Sequence, residues 1–179
     1  MNLKKYIDAY QLHSGTTENS HLGSCFDFFN ENFDDDLLSF DVFIIGVPEG
    51  RLSIGNESCA LAPDEIRSSL YNLYGGEWGL KILDLGNLRV GQTVEDTYAI
   101  LEQLTVYLIE LGKVLLVLGG GHDLITPIYR GHCTFGKPLN LASADAYLDF
   151  QDAENYHSRS FLSHLLASQE SMLSTYNLF

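Results

Sequence analysis

The stretch VLLVLGGGHD, residues 114–123, constrains the fold most, because five apolar residues run directly into three glycines. A continuous Val/Leu run without polar alternation is typical of a strand covered on both faces, as parallel strands are in α/β proteins. Ligands of such proteins bind beyond the carboxyl ends of the strands. Because glycine allows a sharp turn at that end, we expect His122 to project over it as a candidate ligand-binding residue.

A second strand is predicted for LNLASA, residues 139–144, which leads into Asp145, Tyr147 and Asp149. If the chain stays extended there, alternation points these three side chains the same way. Two unpaired carboxylates at close range repel each other, and a cation between them removes that repulsion. The pattern therefore predicts a divalent metal site at His122, Asp145 and Asp149. The alternative is local, with a capping or core histidine and aspartates that cap helices or accept hydrogen bonds in loops.

Strands and helices alternate along residues 41–179, with further strands predicted at 41–47 and 81–85. Helices are predicted from Pro63 to Gly75 and at residues 93–111, 126–133 and 160–168. This order predicts one α/β domain, a three-layer α/β/α arrangement with a mainly parallel sheet. Residues 1–40 are irregular and are predicted to form an N-terminal extension lying over that domain. The tail after residue 168 carries no strong signal.

Two of these helices show distinctive patterns. In the first, Ile66, Leu70 and Leu73 form an apolar stripe at helical spacing, which predicts the buried face. In the second, Thr93 and Asp96 match a capping box. The apolar face of that second helix is predicted to comprise Tyr98, Leu101, Leu104, Leu108 and Leu111.

Charge and cysteine content limit the partners and the compartment. A formal net charge of −14 argues against nucleic acid and anionic membranes as main partners, since both are bound by basic patches. The three cysteines form no CxxC pair, which favours a reducing compartment. No window reaches the apolar length of a membrane span, and no apolar segment follows the N-terminal lysines. These features predict a soluble cytoplasmic protein.

Four motifs together resemble the ureohydrolase family, which comprises arginases, agmatinases and formimidoylglutamases. GGGH at residues 119–122 is similar to the family's GGxH motif, and DAYLD at residues 145–149 is similar to its DAHxD motif. IIGVP at residues 44–48 resembles its first strand, and APDEIRSSLYNLY at residues 62–74 resembles its early helix. The match runs from about residue 41 onward, with the motifs in the family's order.

The resemblance implies a two-manganese hydrolase that cleaves a C–N bond of a small guanidino or amidine substrate. In such a site the metals lower the pKa of a shared water molecule and orient it toward the substrate carbon. Carried over residue by residue, His122 and Asp149 would bind one Mn²⁺, and Asp145 would bridge the two ions. Asn155-Tyr156-His157 resembles an arginase element whose histidine shuttles protons to the leaving amine. Gln151 falls where arginases place a substrate-contacting asparagine.

The sequence departs from the family pattern in two ways. Tyr147 replaces the histidine of DAHxD, and a neutral phenol is a much poorer metal ligand than imidazole. The sequence also contains no later DxD motif, so it resembles roughly the first half of a ureohydrolase and predicts an incomplete arginase-like fold. An incomplete sheet exposes a strand edge and apolar helix faces, from which we expect a homo-oligomer.

Two functional hypotheses remain open on the sequence alone. The first is a ureohydrolase, nearer to formimidoylglutamase or an arginase-like branch than to arginase itself. The second is a catalytically inactive binding or assembly module that has lost the second metal site. A phosphate cradle at the glycines before His122 is disfavoured, because they lack the GxGxxG spacing and a GK[ST] ending.

Overall fold

The computed structural model describes residues 1–11, 20–30, 32–33, 36–76, 79–151, 154–168 and 171–179. Residues 12–19 of the predicted N-terminal extension lie outside this set. The strands are β1 (Ile7–Asp8), β2 (Phe26–Phe28), β3 (Val42–Gly46), β4 (Ile82–Leu88), β5 (Val114–Leu118), β6 (Leu139–Ser143) and β7 (Leu173–Leu178). The α-helices are α1 (Ala62–Leu70), α2 (Val94–Glu110), α3 (Ile125–Cys133) and α4 (Phe161–Ala167). Among the helices of the described residues, none combines the length and apolarity that crossing a bilayer requires.

The main sheet has the strand order β1-β4-β3-β5, and β2 also pairs with β4. The β2–β4, β3–β4 and β3–β5 pairs are parallel, whereas β1 is antiparallel to β4. Strands β6 and β7 form a second, parallel pair. The predicted α/β class with a mainly parallel sheet is confirmed.

Helices cover both faces of the main sheet. Successive side chains of β3 point to opposite faces, so the strand packs against a helix on each side. Phe43 and Ile45 lie in the same buried cluster as Leu101 and Leu104 of α2. On the other face, Ile44 packs with Tyr71, which directly follows α1. This arrangement is the predicted three-layer α/β/α architecture.

Helix α2 begins at the capping box that the sequence predicts. The Thr93 hydroxyl accepts a hydrogen bond from the Asp96 amide at 3.1 Å, and the Asp96 carboxylate accepts one from the Thr93 amide at 2.8 Å. The helix ends before Gly112, whose φ of +68° favours glycine. Four of the five residues predicted for its apolar face are buried, namely Tyr98, Leu101, Leu104 and Leu108.

The predicted buried face of α1 is wrong at Ile66 and Leu73, whereas Leu70 packs against the buried cluster that contains Ile44 and Tyr71. Ile66 and Leu73 are 39% and 57% exposed, whereas Arg67 is completely buried. The reason is a buried ion pair, because the Arg67 guanidinium donates to both carboxylate oxygens of Asp84 in β4 at 2.8 and 3.0 Å. A charged side chain is therefore buried at a position that the apolar pattern does not include.

Three further regions also differ from expectation. The chain does not stay extended through residues 145–149, because β6 ends at Ser143 and the chain bends after it. The tail without a clear signal contains β7, which is formed by its pairing with β6. Within residues 1–40, β1 and β2 join the main sheet through β4. The division of the chain at residue 40 stays a prediction.

Strand β5 lies at the edge of the main sheet within the described residues. The side chains of Val114 and Leu116 are 59% and 43% exposed, so the expectation of cover on both faces fails for the first part of the strand. Edge strands of native proteins usually carry charges or proline that block further pairing. The composition of β5, VLLVL, is instead that of a central strand.

Candidate metal centre

Three glycines connect β5 to a short 3-10 helix at His122–Leu124. Gly119 and Gly120 have φ values of +67° and +84°, which disfavour any residue with a side chain. A Cβ on Gly120 would lie only 2.7 Å from the carbonyl oxygen of Val47, just beyond β3. The loop therefore closes onto the end of the neighbouring strand and holds His122 at the carboxyl edge of the sheet.

Gly120→Ala is expected to lower the free energy of unfolding by more than the roughly 1–2 kcal/mol that left-handed backbone costs a residue with a Cβ. The excess comes from the contact with the Val47 carbonyl. Gly136→Ala is the matched control, because Gly136 has a φ of +62° but a Cβ added there would meet no atom within 4 Å. Urea unfolding of both variants measures the difference, and equal losses would contradict the tight-loop interpretation.

The two aspartates reach the site by a turn rather than by an extended strand. The Asp145 carboxylate accepts a hydrogen bond from the backbone amide of Tyr147 at 3.0 Å, which is the local turn that short carboxylates favour. Farther along, the Asp149 carbonyl accepts from the amide of Leu162 in α4 at 3.2 Å. Helix α4 thus fixes the position of Asp149, whose side chain is 9% exposed.

The structure brings His122, Asp145 and Asp149 together. The Nδ1 atom of His122 lies 2.7 Å from a carboxylate oxygen of Asp149 and 3.4 Å from one of Asp145. One ligand atom from each residue lies within 4.8 Å of the other two. The His122 Nδ1 atom is thus within hydrogen-bond distance of Asp149 and close to Asp145, an arrangement in which all three side chains can face one cation.

This donor set fits one divalent ion. An octahedral ion with ligand distances of about 2.1 Å holds adjacent ligand atoms about 3 Å apart. The distances from His122 Nδ1 to Asp149 and Asp145, 2.7 and 3.4 Å, lie on either side of that value. Two carboxylates with one imidazole are ligands that suit manganese. Among the described residues, this trio is the one group of His, Cys, Asp and Glu side chains close enough together to hold a metal.

Tyr147 does not take part in the trio. Its side chain is 79% exposed, and it lines a cavity of about 450 Å³ that opens above His122. Ser53, Asn56, Gln151 and Arg159 line the same cavity. The predicted substrate contact Gln151 is thus on the wall of the space that the three candidate ligands also reach.

His157 lies apart from this wall. Its Nδ1 accepts a hydrogen bond from the backbone amide of Arg159 at 3.2 Å, and its own amide donates to Ser160 at 3.0 Å. The ring stabilises the turn before α4 and is not among the residues that line the cavity. The proton-shuttle role of His157 stays a prediction.

Asp123 is a site residue that the sequence motifs do not single out. Its side chain is completely buried, and burial raises the pKa of the carboxyl group. The Tyr98 hydroxyl of α2 donates to one carboxylate oxygen at 2.5 Å, and the Tyr156 hydroxyl donates to the Asp123 carbonyl at 3.0 Å. Asp123 thereby anchors the turn that carries His122. The sequence signal that could have identified Asp123 is its position directly after His122.

A family model described as "Arginase family" matches residues 40–176. Among curated relatives, the agmatinase of Blochmanniella floridana is 29% identical over 128 residues, which cover 65% of this chain and 42% of that protein. The formimidoylglutamase of Hahella chejuensis is 32% identical over 113 residues, which cover 58% and 34% respectively.

The formiminoglutamase of Trypanosoma cruzi, solved with Mn²⁺, superposes with a TM-score of 0.67 at 22% identity. The superposition covers 84% of this chain and 53% of that one, and it shows that the two share a fold. The chain spans about half the length of the relatives that it matches.

Proposed function

The chain belongs to the arginase family, and from this premise we propose that it acts as a metal-dependent hydrolase. Its substrate would be a small guanidino or formimidoyl compound, and the bond cleaved would be C–N. The observation that carries the proposal is the convergence of His122, Asp145 and Asp149 on the wall of a cavity of about 450 Å³. Cavities of this size suit a small-molecule substrate.

Mn²⁺ is the proposed metal, and His122, Asp145 and Asp149 are the residues that would hold it. When bound, it would lower the pKa of a water molecule and supply a nucleophile near neutral pH. The carboxylates of Asp145 and Asp149 also attract a cationic amidine or guanidine into the cavity that they line. Gln151 on the wall offers an amide to orient the substrate. His157 stays the sequence-based candidate for protonating the leaving amine, but it does not line the cavity and would have to move to reach the substrate.

The test is an assay of the full chain with arginine, agmatine and formimidoylglutamate, with release of urea, formamide or ammonia as the readout. Product release that requires Mn²⁺ is the expected result. Absence of both turnover and bound manganese would contradict the proposal.

An inactive binding or assembly module is the second candidate, and the position of Tyr147 favours it. The side chain that replaces the family histidine is exposed and supplies no ligand to the trio. Tyr147→His is expected to increase the number of Mn²⁺ ions bound per chain if the second site was lost by this substitution. Atomic absorption measures the number of Mn²⁺ ions bound per chain in both proteins. An unchanged number would argue that the tyrosine at position 147 did not cause the loss of the second site.

Self-association through β5 is part of the proposal. The open edge of β5 exposes Val114 and Leu116, and a second copy of this edge can complete its hydrogen bonding. Leu116→Lys is expected to shift the sedimentation profile toward monomer because it places a charge on that edge. Leu61→Lys is the control, since Leu61 is 70% exposed but lies in the turn before α1. A monomeric wild-type chain would contradict the proposal.

A reducing, cytoplasmic location completes the proposal. Cys25, Cys59 and Cys133 are free thiols in the structure, which supports a compartment where disulfides do not persist.

A further inference from the structure

The cavity above His122 is lined in part by apolar side chains that the fold leaves exposed. This apolar lining consists of Ile54, Tyr147 and Leu148, which are 72%, 79% and 48% exposed. Single exposed apolar residues are normal on a protein surface, whereas several of them around one concave site mark a surface that a ligand covers. The three residues come from two separate segments, the loop after β3 and the turn after β6. The fold therefore brings apolar surface from both segments to one cavity.

Backbone hydrogen bonds hold both segments in place. The Tyr147 amide donates to the Asp145 carboxylate at 3.0 Å. Around Ile54, the Asn56 amide donates to the Ser53 carbonyl at 2.8 Å. The exposed side chains thus project from ordered turns. A ligand that covers them gains apolar contact without the cost of ordering a loop.

The acidic groups of the same cavity are adjacent in sequence to the apolar lining. Tyr147 and Leu148 lie between Asp145 and Asp149, and both aspartates line the cavity as well. Carboxylates attract a cation, whereas the apolar lining gains from any group that removes it from water. One small ligand can therefore present a cation to the aspartates and an apolar group to the lining.

We infer that the cavity binds an amidine or guanidine whose cationic group is attached directly to an aryl or branched alkyl group. The cation lies at the aspartates, and the apolar group covers the apolar lining. This inference rests on the proposed function and names its substrate class. Tyr147, which stands where the family motif has a histidine, contacts the substrate in this arrangement and not a metal ion.

Benzamidine and acetamidine are a matched pair of probes, because they carry the same cationic amidine on a phenyl group and on a methyl group. Isothermal titration calorimetry of the full chain measures both affinities, first without Mn²⁺ and then with it. Benzamidine is expected to bind at least about tenfold more tightly, since its larger group removes more apolar surface from water. The preference should appear under both conditions, because the apolar lining produces it and the metal does not.

Tyr147→Ala is expected to reduce this preference to below about threefold by weakening benzamidine binding, because the substitution removes most of the apolar surface at that position. Acetamidine binding should stay within about twofold of the wild type. Tyr147→Phe should keep the preference, since the ring remains, and Ile54→Ser should lower it from the other segment. Tyr74→Ala is the matched control, because Tyr74 is 78% exposed but does not line the cavity.

Equal affinities for the two probes, or failure to bind either of them, would overturn the inference. A preference that survives in both Tyr147→Ala and Ile54→Ser would do the same. If Tyr147→Ala shifts the sedimentation profile toward monomer and leaves benzamidine binding unchanged, the apolar lining is a contact between copies and the inference is also wrong.

These outcomes are distinct from failure of the proposed function, which is judged by manganese binding and product release. A chain that binds Mn²⁺ and hydrolyses arginine or agmatine, but binds benzamidine no better than acetamidine, would keep the function and lose the inference.

Discussion

Asp149→Asn is expected to weaken Mn²⁺ binding by more than about 100-fold, since even residues that only support a ligand contribute 10–100-fold. The substitution replaces a charged oxygen that lies 2.7 Å from His122 Nδ1 with a neutral amide of the same shape. The backbone contact between the Asp149 carbonyl and the Leu162 amide does not depend on the side chain. The fold should therefore persist, and titration of Mn²⁺ followed by electron paramagnetic resonance isolates the loss of the ligand.

Asp27→Asn is the matched control for this experiment. Asp27 is an exposed residue of β2 outside the metal trio, so removal of its charge changes the net charge of the chain by the same amount. Its Mn²⁺ affinity should stay within about twofold of the wild type, because screened charges at a distance contribute little. Similar losses in both variants would mean that manganese responds to overall charge and not to the trio.

Arg67→Met is expected to lower the free energy of unfolding by about 3–5 kcal/mol, because it leaves a buried carboxylate without its partner. Arg67 and Asp84 are both completely buried. The guanidinium also donates to Asn87 at 2.6 Å and to the Gly86 carbonyl at 2.8 Å, and the Tyr71 hydroxyl donates to Asp84. This network fixes α1 to β4, and urea denaturation monitored by circular dichroism measures its loss.

Arg89→Gln provides the comparison for Arg67→Met. Arg89 pairs with Asp8 at 2.6 Å, but both side chains are about half exposed or more, and such pairs contribute about 0–1 kcal/mol. The double variant Arg67→Met/Asp84→Leu should recover part of the loss, because it removes the unpaired charge as well. A loss below about 1 kcal/mol in Arg67→Met would show that the buried pair does not hold the two elements together.

The strand ends that form the site could be predicted from the sequence because they depend on local chemistry. An apolar run identifies β5, and the glycines after it require the turn that positions His122. The proximity of His122 to Asp145 and Asp149 is also expected from the sequence, although β5 and β6 lie in different sheets and not side by side in one sheet. The path of the chain between β6 and Asp149 differs from the expectation, because a turn at Asp145 replaces the extended segment.

Features that depend on contacts distant in sequence could not be predicted in this way. Arg67 is buried because Asp84 is opposite it in β4, and no pattern within α1 indicates that partner. Strand β7 exists through its pairing with β6. Asp123 is anchored by Tyr98, which is 25 residues earlier in the chain. Periodicity reports which faces are apolar, whereas these contacts are set by polar partners on other elements.

The most direct measurement of the central claim is anomalous diffraction from crystals of the full chain grown with Mn²⁺. We predict an anomalous peak within about 2.1–2.3 Å of His122 Nδ1 and of one carboxylate oxygen each from Asp145 and Asp149, as expected for direct ligation. A saturating concentration of Mn²⁺ that gives no peak there, or a peak only at other carboxylates, would contradict the claim.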